Sequence, residues 1–350
     1  MKFHQLIQHL KQLNMAYHVI ETRPLGKLVT IERGARMLGI FPDESCDNLL
    51  WTSPVLIDLH NAQLQFEHGV EWNIGGDRTW LSPEIDFNIG DLDNLWSTYA
   101  VQPIFDPGNY RIHNTNEHSI CIMQVTSPIA HRTNRKIPML IKKVFRANSD
   151  PMKYIWSAKE LNNYSFVGFD LTTSVTLTDN HKTLPLSTWQ LAQLPAGGEL
   201  IIPTYGKAAV HHFFGSADSP RVSVDPHFVN VKIDAQESFK ISIKVHYVTG
   251  RMGYYRQVNE KQATLIIRHF DTKPGYAYGD VFVPNLDDPG HCVQAYNDDG
   301  KLGDFGEMEY HTPLMMTSKD QYSLEDTHET FCYFGNIEVI NKIRHILLGT

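Results

Sequence analysis

The densest chemistry in the sequence lies between Glu71 and Glu84, EWNIGGDRTWLSPE. Arg78 follows a glycine pair and stands between Trp72 and Trp80, with Pro83 and Glu84 close behind. Arginine offers a rigid fork of donors to hydroxyl or carboxylate oxygens. Tryptophan offers a flat apolar face with a polar edge. A sugar ring wants that mixture, an aromatic platform below and forked hydrogen bonds around its rim. The same residues also read as a tight hairpin with core tryptophans and an Arg78–Glu84 ion pair. The glycine pair is not a phosphate loop, because neither GxGxxG nor GxxxxGK followed by Ser or Thr occurs.

A second segment, Gly303 to Pro313, reads GDFGEMEYHTP. As a strand it puts Glu307, Glu309 and His311 on one face and Met308 and Tyr310 on the other. Two carboxylates and an imidazole on one face form an acid–base constellation. Crowded carboxylates raise one another's pKa, so one holds a proton while another acts as base. The competing reading is a solvent-facing polar edge. Other polar clusters are weaker. His211 and His212 are adjacent and point to opposite faces of a strand, which argues against a two-histidine metal site. His60, Glu67 and His68 would meet only across a hairpin, and nothing fixes their spacing. Asn297-Asp298-Asp299-Gly300 fails as a calcium loop, because Ala295 falls at the first ligand position, and reads as a hairpin turn. With no HExxH helix and no GxSxG elbow, neither a metal nor a cofactor is expected. The four cysteines are far apart without a CxxC pair, as befits buried thiols in a reducing cytosol.

Period-two alternation dominates the chain that must position these groups. Phe239, Ile241, Ile243, Val245 and Tyr247 face one way, and Lys240, Ser242, Lys244 and His246 the other. Val229, Val231 and Ile233 repeat the pattern. Further strands are expected at Lys27–Ile31, Pro54–His60, His118–Val125, Met139–Phe145, Ser174–Thr178, Glu199–Pro203, Ala263–His269 and Thr330–Phe334. Turns are expected at Asp106–Asn109, Ala196–Gly198, Lys273–Gly275 and Asn297–Gly300. Strands never alternate with long helical patterns, which argues against a parallel βαβ sheet. The fold class is mainly β, with many antiparallel strands in two large stacked sheets and short helices at each end. The division expected is a single domain over 1–350. A helix and lead-in occupy 1–20, the sheets 21–335, and a helix ending before Gly349 occupies 336–350. Asp86 to Tyr110 carries few strand signals and reads as a long rim loop, the kind that often holds specificity.

Composition narrows the function. Of 350 residues, 42% are apolar, enough to bury a sizeable core. Thirty-one Lys plus Arg against 39 Asp plus Glu gives a net charge of −8, a poor match to nucleic acid. No apolar run approaches the ~20 residues of a membrane helix. Met1 to Asn14 spaces its apolar residues helically, unlike a signal peptide. A cytoplasmic location follows, with no membrane and no nucleic acid as partner. Nothing in the sequence specifies an oligomeric state.

The order of motifs resembles a known group. Arg33 to Gly39 (RGARMLG), Asn48 to Trp51 (NLLW), GGDRTWLSPE, Trp189 to Pro203 (WQLAQLPAGGELIIP) and GEMEYHTP at 306–313 are similar to uncharacterised bacterial relatives of aldose 1-epimerases, the galactose mutarotase-like group. The resemblance spans roughly residues 27 to 348. It implies a β-supersandwich with a sugar groove across one face, no cofactor, and a monosaccharide or sugar derivative as partner. It implies the sugar-holding role for Arg78, and a groove that adds Trp72, Trp80, Glu84 and Trp189 to it suits a sugar. It makes Glu309 the base, with Glu307 as alternative. Trp189 stands near the place of the family's acidic histidine, which leaves His211, His212 or His311 to supply an imidazole. Three readings follow: an isomerase acting at the anomeric centre, a carbohydrate-binding or sugar-sensing protein without turnover, and an interaction protein that binds no sugar.

Overall fold

The computed structural model describes residues 1–22, 25–67, 72–178, 185–216, 219–315 and 323–349. Among these residues, strands form a nine-stranded sheet, a ten-stranded sheet and two short ribbons. Every paired strand is antiparallel to its neighbour, so the chain is mainly β, as the alternation predicts. Five strands occupy one half of the nine-stranded sheet in the spatial order Asp77–Ser82, Ser187–Pro195, Phe305–His311, His291–Asn297 and Phe239–Lys244, with Val210–Phe214 at the edge. The ten-stranded sheet is built round two 14-residue strands, Tyr164–Leu177 and Ser323–Asn336, paired along almost their whole length.

The sheets pack face to face. Phe239, Ile241, Ile243 and Met308 of the first share one apolar core with Val167, Phe169, Leu171 and Val175 of the second. Gly197 (φ 98°) lies in the corner where the strand Ser187–Pro195 of one sheet passes to Gly198–Pro203 of the other. That left-handed conformation suits glycine. The N-terminal helix Phe3–Gln12 buries Leu6 and Leu10 against Val29, Ile31, Leu38 and Phe41. The C-terminal helix Ile337–Leu348 is capped by the Asn336 side chain, which accepts from the Glu338 N–H at 2.9 Å, and stops at Gly349. Its Ile340, Ile343 and Leu348 cover Ile201, Leu265, Ile267 and Tyr333 of the ten-stranded sheet. No helix among the described residues is long and apolar enough to cross a membrane.

Three local expectations change. Pro54–His60 is not a strand. A 3-10 turn at Pro54–Leu56 leads to the helix Leu59–Glu67, because proline at the first helical position, capped by Ser53, starts a helix rather than a ladder. His60 and Glu67 therefore lie along one helix, not across a hairpin, and His68 lies outside the described residues. The strand expected through Tyr247 ends at Lys244 and turns over Val245–Tyr247. Its polar face is also not solvated: Lys240 and Ser242 are buried. Cys46, Cys292 and Cys332 are buried free thiols, whereas Cys121 is half-buried.

Candidate functional site

Register decides which side chains meet. Trp189 lies opposite both Trp80 and His311, Leu191 opposite Arg78 and Glu309, and Gln193 opposite Glu307. Met308 and Tyr310 point between the sheets, so Glu307, Glu309 and His311 point outward, as the period of two requires. Arg78, Trp80, Trp189 and Lys240 project from neighbouring strands to the same side. Together with Glu84, from the short helix Glu84–Phe87, they line a cavity of about 310 Å³.

Its floor is aromatic. Trp72 meets Trp80, and Trp80 meets Trp189, edge to face at 5.4 Å each. The Arg78 guanidinium lies 4.3 Å over the Trp80 ring and 5.3 Å over Trp72. Arg78 Nη2 donates to Glu307 Oε1 at 2.8 Å. The Arg78–Glu84 ion pair expected above is thus replaced by Arg78–Glu307. Glu84 instead faces Lys240 at 3.7 Å. Lys240 Nζ also lies 3.3 Å from Glu309 Oε2 and 4.3 Å over the Trp189 ring. Trp189 Nε1 donates to that same Glu309 oxygen at 2.8 Å.

The electrostatics follow from burial. Glu309 is pushed up to about 8, first by burial, with Glu307 and Glu84 adding to the shift and Lys240 opposing it. Burial also raises Glu84. Burial works against the Lys240 charge, but the surrounding carboxylates, Glu309 foremost, outweigh it and hold its pKa above the usual lysine range. Three carboxylates and two cations therefore share an apolar chamber in which Glu309 keeps its proton near neutrality. Two sets of atoms are left over. Glu309 Oε1, and Nε and Nη1 of Arg78, are buried without a hydrogen-bond partner among the described residues.

Seven of the eight residues singled out from the sequence line this one cavity: Trp72, Arg78, Trp80, Glu84, Trp189, Glu307 and Glu309. Glu71, which opens the motif, lies outside the described residues. His311 stands behind the cavity wall. It stacks on Trp189 at 5.2 Å, shares a 2.9 Å hydrogen bond with Ser82 Oγ, and places Nε2 3.6 Å from Asp280. Burial, then Lys240, lowers its pKa well below the usual range, so the ring is neutral. The strand carrying these groups is buried at all seven positions, not a solvent-facing edge. No histidine lines the cavity among the described residues.

Sequence reasoning missed Lys240, Trp96, Tyr99 and Phe214, which also line the cavity. Trp96 and Tyr99 come from the segment expected to form a rim loop. That segment walls one end by packing Ile89 and Tyr99, with Ile85 just before it, on Phe213, Val281 and Val283.

A family model described as "Family of unknown function (DUF6786)" matches residues 61–350. No curated protein matches the chain in sequence. Among solved structures, a candidate aldose 1-epimerase from Escherichia coli K12 is similar at a TM-score of 0.55 and 13% identity, covering 92% of this chain and 100% of its own. A galactose mutarotase related enzyme from Lactobacillus acidophilus covers 92% of this chain and 97% of its own, at 10% identity and a TM-score of 0.45. The first likeness shows the fold: a galactose mutarotase-like β-supersandwich.

Proposed function

We propose for this chain, which belongs to the DUF6786 family, a carbohydrate-directed role: it binds a monosaccharide or sugar derivative in the tryptophan-floored cavity and acts on its anomeric centre. The observation that carries this reading is the set of unpartnered atoms in the cavity. Glu309 Oε1 and Arg78 Nε and Nη1 are buried among tryptophans, where a polar atom without a partner is costly. A ring with hydroxyls satisfies a carboxyl and a guanidinium while laying its C–H face on tryptophan. The fold shared with a candidate aldose 1-epimerase points the same way.

Opening a sugar ring needs one group to give a proton to the ring oxygen and another to take the proton of the anomeric hydroxyl. Glu309, raised to about 8, supplies the proton at neutral pH. Glu307, held by Arg78, is the carboxylate beside it that accepts one. After rotation about the C1–C2 bond of the open-chain sugar, Glu309 takes back the proton of the ring-closing hydroxyl and Glu307 returns its proton to the carbonyl oxygen, which closes the ring in either anomeric form. His311 does not reach the sugar in this scheme; it holds Trp189 from behind.

One observation favours a second reading, a sugar-binding or sensing protein without turnover. Trp189 stands where the resemblance expects an imidazole, and no histidine lines the cavity among the described residues. NMR exchange spectroscopy with hexoses, pentoses and uronic acids separates the readings. Accelerated interconversion of α and β forms supports the enzyme. Ligand contact at an unchanged rate supports the binding protein. Neither signal from any sugar overturns both.

A further inference from the structure

Away from the cavity, His211, Asp288 and His291 bring three ligand atoms within 4.8 Å of one another. The strands Val210–Phe214 and His291–Asn297 flank Phe239–Lys244, so His211 sits opposite Ser242 and His291 opposite Lys244. Asp288 arrives from the ribbon strand Asn285–Pro289, three residues before His291. Asp288 Oδ2 is 3.8 Å from His211 Nδ1 and 3.6 Å from His291 Nε2.

The state of His291 gives this cluster its meaning. The ring is fully buried, and its Nε2 has no hydrogen-bond partner among the described residues. Its Nδ1 lies 2.8 Å from Ser242 Oγ, and Ser242 Oγ donates to the Val293 carbonyl at 3.2 Å. A hydroxyl has one proton. With that proton on Val293, Nδ1–H donates to Ser242, and Nε2 keeps a bare lone pair aimed at a carboxylate oxygen. A lone pair facing a carboxylate is relieved by a cation between them. An imidazole whose far nitrogen is fixed by a hydrogen bond is the usual form of a metal-ligating histidine.

We propose that His211, Asp288 and His291 form a binding site for a late first-row divalent transition metal ion of the zinc class. In tetrahedral coordination with bonds of about 2.0–2.1 Å, ligand atoms sit ~3.4 Å apart. The separations of Asp288 Oδ2 from the two imidazole nitrogens close to that by a few tenths of an ångström. Two imidazoles select such an ion over magnesium or calcium, which take oxygen ligands. Lys244 holds Asp288 through the other carboxylate oxygen, Oδ1, and leaves Oδ2 for the metal. Phe213 and Phe282 pack on the two imidazoles at 5.4 Å and hold the rings in place. His211 and Asp288 are each about a quarter exposed, which gives an ion its way in. The remaining coordination positions are open to water or an exchangeable ligand. The site shares no ligand with the sugar cavity and does not depend on that reading.

The test is calorimetric titration of metal-stripped protein with Zn²⁺ in excess Mg²⁺, repeated for His211→Ala and Asp288→Asn. Both positions are partly exposed, and thermal unfolding checks that each variant is folded. The expected result is one Zn²⁺ per chain, bound at least about tenfold more weakly by each folded variant. Co²⁺ bound to the wild type should show the visible absorption of low-coordinate cobalt, lost in the variants. Absence of stoichiometric Zn²⁺ binding overturns the proposal. So does equal affinity in wild type and variants, which would assign the zinc to other histidines of the chain.

Discussion

Glu309 is where burial, charge and hydrogen bonding meet in the cavity, and two expectations rest on it. Glu309→Gln keeps the shape and the acceptor for Trp189 but cannot cycle a proton. Sugar interconversion should fall by roughly two to four orders of magnitude while the fold stands. Normal turnover in that variant would move the acid role to Glu307 or Glu84. The second expectation concerns stability. The ordinary glutamate value is 4.5, and folding raises Glu309 to about 8. The folded chain thus binds more protons than the unfolded chain between those values. The contribution is fully present below about 4.5, declines as pH rises, and is lost above about 8. Thermal melts at pH 5 and pH 9 should therefore show Glu309→Gln gaining on the wild type at the higher pH. Parallel profiles would mean that burial does not raise this carboxyl. Arg78 carries the matching expectation for binding. Charge-assisted hydrogen bonds contribute ~1.5–3 kcal/mol, so Arg78→Ala should weaken sugar binding at least about tenfold, and Lys159→Ala should leave it unchanged.

The elements around these residues were partly legible because strand periodicity is local. GEMEYHTP read as a strand puts both glutamates and the histidine on one face, and the structure agrees. What covers a face is not local. The polar side of Phe239–Lys244 was legible only as the side opposite the apolar one, yet it supplies Lys240 to the cavity and Ser242 to His291. As a metal ligand His211 was weighed with its neighbour His212, whereas Asp288 and His291 lie far along the chain. The glycine pair was legible as backbone freedom, and its purpose now has geometry. Gly75 has φ 96°, and a Cβ there would meet the Trp51 carbonyl oxygen at 2.3 Å. The pair lets the chain pass beneath Trp51 and enter Asp77–Ser82 in register. Gly75→Ala should cost ~1–3 kcal/mol from the backbone conformation alone, read as a lowered melting temperature. It should also weaken sugar binding, because Trp72 and Arg78 sit on either side of the strained turn. An unchanged melting temperature would show that the turn relaxes freely.

At the level of the whole molecule, the order of motifs pointed to the supersandwich, and the likeness in fold bears this out. The contacts that join the two sheets were beyond sequence reading. Asp77, from the strand that carries Arg78, pairs with Arg268 of the ten-stranded sheet, 191 residues away. Both side chains are about 1% exposed. Burial raises Asp77 even with Arg268 beside it, so the pair is held against a desolvation cost. Around it, Thr79, Gln190, Tyr310, Asp326 and His328 form a hydrogen-bonded polar layer inside an otherwise apolar interface. Such a layer penalises any sliding of one sheet over the other, because each shift would strand a buried charge. Arg268→Met removes one partner and leaves the Asp77 carboxyl uncompensated, at an expected cost of ~3–5 kcal/mol. The double variant Asp77→Leu with Arg268→Met removes both charges and should recover much of that loss. Urea unfolding measures the comparison, with midpoints shifting at constant slope if only stability changes. If the single and double variants unfold at the same midpoint, the pair is not what ties the strand bearing Arg78 to the second sheet. If the double variant recovers, the uncompensated charge is the penalty.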